Sequence, residues 1–129
     1  ESLSVFAKEY AESLAQTTGM IACITDHDQV VAHPDRQQEL MGKAISKELD
    51  RVITEREMNV NHTGERKILP LVENQKESSS ELIVQPIICS GDAIGSVALV
   101  GKSAGERFGN SEQMLVKTAA GFLGRQMEQ

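Results

Sequence analysis

Four groups of side chains in this 129-residue sequence are of types that could carry chemistry. Asp26, His27 and Asp28 form a compact acid–base or metal-ligating trio. Adjacent residues on a turn point in different directions, and a metal site needs further ligands brought from elsewhere. The trio therefore reads as a solvated hairpin turn, and no metal site is expected. Cys23 and Cys89 could form a redox pair if their Cβ atoms came within about 4.5 Å of each other. They are far apart in sequence and each sits among apolar residues, so two independent reduced core thiols are expected. Ser78, Ser79 and Ser80 could accept phosphate, but a serine run between polar residues is first of all a flexible loop. Gly101, Gly105 and Gly109 have the wrong spacing for either common phosphate-binding glycine fingerprint, and Lys102 lies near the start of the run rather than after it. No nucleophile is matched with a base and a third orienting group, so neither catalysis nor a cofactor is expected. His33 ends an apolar run ahead of Pro34, where it is either a pocket-lining donor or an exposed strand end. His62, in a polar loop, is expected to be solvated.

Composition narrows the function classes. Nineteen acidic against thirteen basic residues give a formal charge of −6. The basic residues are scattered, whereas gripping nucleic acid needs clustered Lys and Arg to neutralise phosphates. No run of about 18 apolar residues is present to span a bilayer, and no polybasic anchor stands out. The length fits one domain with one core. Glu1 in place of an initiator methionine is what an excised piece would show. With no Trp, three Phe and one Tyr, the core must be aliphatic.

The elements that must hold these residues follow from periodicity. Leu3, Phe6, Ala7, Tyr10 and Leu14 recur at helical steps, predicting a helix over residues 2–17 stopped at Gly19. Residues 20–25 and 30–33 read as a hairpin around 26–29. Residues 35–39 read as a loop and 40–43 as a single helical turn. Ser46 is a good N-cap for a helix with Leu49, Val52 and Ile53 on its buried stripe. Residues 59–65 carry turn signals, and 67–72 read as an edge strand interrupted by Pro70. The strongest signal is a hairpin of 82–89 and 93–101, with Gly91 free to take positive φ in its turn. Asn110 or Ser111 would cap a last helix running to about Met127. That helix carries one apolar strip of Met114, Leu115, Thr118, Ala119, Phe122 and Leu123, and a second of Val116, Ala120 and Met127. One strip is expected to face the core and the other a partner. Helix, two strands, helix, three strands, helix describes an α+β fold with an antiparallel or mixed sheet and helices on its faces.

That order resembles a GAF domain. The stretch carrying the likeness is Pro86-Ile87-Ile88-Cys89-Ser90-Gly91-Asp92-Ala93-Ile94-Gly95-Ser96-Val97. The two terminal segments, residues 6–11 and 118–129, resemble the GAF domain of sporulation transcription regulators that carry an AbrB-type DNA-binding domain ahead of it. The resemblance implies a single GAF-like regulatory domain over residues 1–129, in a cytoplasmic, forespore regulator whose DNA-binding domain is not in this sequence. It implies that the N- and C-terminal helices pack together and join copies of the chain into a dimer or tetramer. It implies an unidentified small-molecule ligand and contact with DNA only through the missing domain. The charged motif of cyclic-nucleotide-binding members is not seen, and neither cysteine is placed for a bilin.

Within that frame the expected pocket wall is Ile24, His33, Met41, Ile45, Leu69 and Val84, and the expected self-association surface is Phe6, Tyr10, Leu14, Met114 and Phe122. Two alternatives stand beside ligand sensing. One is a purely structural assembly module, since a filled core and an empty pocket read alike in sequence. The other is a small enzyme akin to GAF-type methionine sulfoxide reductases, disfavoured because those use several cysteines arranged for exchange.

Overall fold

Residues 2–33, 39–64, 67–76, 80–102 and 105–128 are described in the computed structural model of the chain. Helix α1 (Leu3–Thr18) buries Leu3, Ala7, Ala11 and Leu14, and Gly19 ends it at φ 73° with its N–H on the Ala15 carbonyl. Strands β1 (Ile21–Asp26) and β2 (Val30–Ala32) form the first hairpin. The Asp26 carboxylate builds its turn by accepting the N–H groups of Asp28 and Gln29 at 2.7 and 2.8 Å. Helix α2 (Lys47–Glu55) is capped by Ser46, whose Oγ accepts the Leu49 N–H at 2.9 Å. Strands β3 (Asn59–Asn61), β4 (Leu82–Cys89) and β5 (Asp92–Val100) and helix α3 (Asn110–Gln126) complete the order.

The five strands make one antiparallel sheet in the order β2-β1-β5-β4-β3. The apolar run of β5 lies at its centre, paired with β1 on one side and β4 on the other. Ser90 and Gly91 turn β4 into β5 with φ of 50° and 85°, the two left-handed residues of a turn that suits the twist of a hairpin. Gly95 is demanded by packing: a Cβ there would run into the Thr25 carbonyl oxygen of β1. Gly124 is demanded likewise, because a Cβ would strike the Ile88 carbonyl where α3 lies on β4.

Strand alternation divides the apolar residues between two layers. Ala22, Ile24, Ile83, Ile87, Val97 and Leu99 pack under α1 and α3, against Ala7, Ala11, Val116, Ala119 and Leu123. Cys23, Val84 and Ala98 face the other way, under Leu49, Val52 and Ile53 of α2 and under Ile45, Leu71 and Val72.

Several expectations need correction. Residues 67–72 form no ladder; only Val72 makes an isolated bridge, to Ile45. Pro70 has no N–H to give, and the N–H groups of Leu71 and Val72 go to the Gln75 side chain at 2.9 and 3.3 Å. The third strand is instead Asn59–Asn61, read in sequence as part of a turn. Residues 40–43 are a hydrogen-bonded turn closed from Lys43 N–H to the Leu40 carbonyl, not a helix. The cap of α3 is Gly109, whose N–H reaches Glu112 at 2.6 Å, rather than Asn110 or Ser111. The buried stripe of α3 takes Ala119 and Leu123 from one predicted strip and Val116 and Ala120 from the other, and adds Gly124. Pro34, residues 35–38 of the expected loop, and the serines at 78 and 79 lie outside the described residues.

Candidate functional site

Three of the six expected pocket residues, Ile45, Leu69 and Val84, gather on the α2 side of the sheet. Ile45 and Val84 are buried there, and Leu69 packs partly against them. Ile24 is not among them: alternation turns it under α1 and α3, where it is fully buried. Met41 is 37% exposed, and His33 lies half-buried just beyond β2. Around the small void lined by Ile68, Leu69, Leu71, Leu82 and Val100 only about 20 Å³ is open, room for about one water. A larger cleft of about 380 Å³ opens beside the start of α2, between Ser46, Lys47 and Glu48 and the segment from Pro70 to Gln75.

Two polar features of this region escaped the sequence reading. Thr25 and Ser96 are directly opposed on β1 and β5, fully buried, with their hydroxyls 2.7 Å apart. The signal was a hydroxyl two positions from Cys23 and another two from Ala98, both on the inward side of apolar strands. Glu81 is also fully buried. Its carboxylate accepts the N–H of Phe108 at 3.0 Å, the N–H of Thr63, and His62 Nδ1 at 2.8 Å. Burial alone would raise its pKa, but the N–H groups of Phe108 and Thr63, with His62, hold it down to about 2. His62, expected in solvent, is thus held against a buried carboxylate. The one clue to Glu81 was a lone acid abutting the apolar run of β4.

The cysteines are independent. Cys23 lies beside Ala98, which pairs with Val84. Cys89 is five residues further along β4, roughly 16 Å away and beyond disulfide reach. Burial pushes the Cys23 thiol up to about 12, leaving it protonated and inert. Cys89 is only half-buried, at the strand end, so it is not the core thiol expected. In the trio Asp26, His27 and Asp28, the Asp26 carboxylate serves the turn N–H groups, and among the described residues no three His, Cys, Asp or Glu side chains are grouped to hold an ion.

On the opposite side, the helix layer leaves apolar groups uncovered. Val5 is 62% exposed, Met114 67% and Phe122 45%. Phe122 lies against Tyr10 with ring centroids 5.2 Å apart, which packs α1 onto α3. Burial raises the Tyr10 phenol above its ordinary value. Phe6 and Tyr10 are partly buried at the edge of the core. Leu14 does not share this surface: it is 7% exposed and belongs to the core beneath α1. Among the described residues no helix is long and apolar enough to cross a membrane.

A five-stranded antiparallel sheet with α1 and α3 on one face and α2 on the other is the fold of a GAF domain. The GAF domain of an Acinetobacter phosphoenolpyruvate-protein phosphotransferase superposes with a TM-score of 0.75 at 11% identity, covering 97% of this chain and 81% of that one. The cofactor-binding GAF domain of the nutrient sensor CodY from Clostridium difficile gives 0.68 at 17% identity, covering 98% and 86%. The sequence is more specific than the fold: the chain belongs to the family described as stage V sporulation protein T C-terminal, transcription factor, whose model matches residues 2–128. Stage V sporulation protein T of Bacillus subtilis (strain 168) is 36% identical over 128 residues, spanning 98% of this chain and 70% of that protein. The chain is accordingly a regulatory domain of the transcription-factor class.

Proposed function

We propose that this domain joins copies of a sporulation regulator into a dimer or tetramer, and that a small molecule sensed on the α2 side of the sheet biases that assembly. The regulator would act in the cytoplasm of the forespore and touch DNA through a separate domain. The domain itself would catalyse nothing. The observation that carries this reading is the exposure of three large apolar side chains on the helix layer, Val5 on α1 and Met114 and Phe122 on α3. A second copy of the same surface is the simplest cover, because isologous contacts are self-complementary. For sensing, the support is kinship of fold with CodY, whose GAF domain binds a cofactor, and that is an analogy.

A second reading, a scaffold without ligand, has its own support. The α2 side is packed by Leu49, Val52, Ile53, Leu71 and Val72 of the chain itself. Both readings share the assembly surface, so that is tested first. Phe122→Asp should reduce the sedimenting species to a smaller one while circular dichroism stays native. A variant that sediments like the wild type overturns the surface.

A further inference from the structure

We propose that Glu81 is a positioning residue that ties the loop after β3 to the start of α3, so that displacement of the α2-side layer is carried to the helix bearing the exposed Met114 and Phe122. The tie stands on geometry; its consequence for assembly rests on the reading above.

Glu81 precedes β4 at the end of the sheet opposite the Ser90–Gly91 turn. Three donors from two distant segments converge on its carboxylate. Thr63 N–H meets Oε1, while Phe108 N–H and His62 Nδ1 both meet Oε2. Its own carbonyl accepts the Gly101 N–H at 2.9 Å. Each segment leads into a different layer. On one side, Asn61 accepts the Leu69 N–H at 3.2 Å, linking β3 to the stretch that covers the α2 side. That stretch is joined in turn to α2 through Ser46 N–H and the Leu71 carbonyl at 3.0 Å. On the other side, Phe108 is buried in the helix-side core, and Gly109 next to it begins α3.

A carboxylate with no solvent contact must keep its donors, because each unmade charge-assisted bond leaves a costly group behind. Moving the loop at residues 62–63 therefore drags the acceptor on which Phe108 depends. Glu81→Gln keeps the shape but replaces one oxygen with an NH₂ that faces an N–H. One side must let go, and the remaining oxygen loses its charge.

The test is amide hydrogen exchange by NMR on the chain, comparing wild type, Glu81→Gln and Ile53→Val, a control that weakens the α2-side core without touching Glu81. In Glu81→Gln the amides of Thr63 and of residues 108–112 should accelerate together by about tenfold or more, beyond any change at Ala22–Ile24. Acceleration in one segment alone, or the uniform rise expected of Ile53→Val, overturns the tie. If Glu81→Gln does not fold, acid titration of the wild-type amide shifts decides. Thr63 and Phe108 should move with one shared midpoint as the carboxylate protonates, and separate midpoints overturn the proposal. Sedimentation of Glu81→Gln separates the two layers of inference. Joint loosening with weaker self-association supports transmission to assembly. Joint loosening with unchanged self-association keeps the tie and overturns its link to assembly.

Discussion

Under α1 and α3 the sheet presents Ile24, Ile83, Ile87, Val97 and Leu99; under α2 it presents Cys23, Thr25, Val84, Ser96 and Ala98, which are smaller and partly polar. The first side is covered by two long regular helices, of which α3 comes so close to β4 that Gly124 cannot bear a side chain. The second is covered by a nine-residue helix and an irregular stretch pinned by side-chain hydrogen bonds from Ser46, which donates to the Pro70 carbonyl, and from Asn61 and Gln75. Large, close-packed contacts resist opening, whereas a cover with few regular backbone bonds opens at lower free energy. The helix side is therefore the rigid base, carrying the proposed assembly surface, and the α2 side is the adjustable half.

The largest test of that contrast is a pair of truncations. Leu123→Ala in the helix-side core should cost about 2–5 kcal/mol by denaturant unfolding. The same change at half-buried Leu69 should cost less than about half as much; equal losses would erase the contrast. Next comes acid. Glu81 titrates lower in the folded chain than in the unfolded one, so its contribution is full above about pH 4.5 and is lost as pH falls toward about 2. This acid-side loss should be present in the wild type and absent from the acid limb of Glu81→Gln. Gly124→Ala should cost about 1–3 kcal/mol by lifting α3 from β4. Ser46→Ala should cost about 1 kcal/mol. Its effect on exchange rates should be largest around α2 and residues 70–75, with a smaller rise at residues 108–112.

The regular half of this molecule was legible in sequence and the irregular half was not. Helix α1, its Gly19 stop, the Ser46 cap and the β4–β5 hairpin follow from local rules that nothing overrode. The error at residues 59–72 has a tertiary cause. Asn59–Asn61 becomes a strand because the free edge of β4 needs a partner, and Pro70 disqualifies the more apolar candidate. Ile24 went to the wrong layer because an unbroken apolar run hides which way each side chain points. Glu81 was missed because its donors are two backbone N–H groups and a histidine that only the fold assembles. On α3, Met114 and Phe122 fell on the same strip as Leu123, yet the helix rotates them outward. Whether a helical strip faces core or partner depends on that rotation, which composition does not set.

Native mass spectrometry of the gently purified chain tests the central claim most directly, because it weighs assembly and retained ligand together. The account predicts a dimer or tetramer carrying excess mass that is lost on denaturation. A bare monomer at micromolar concentration would contradict it.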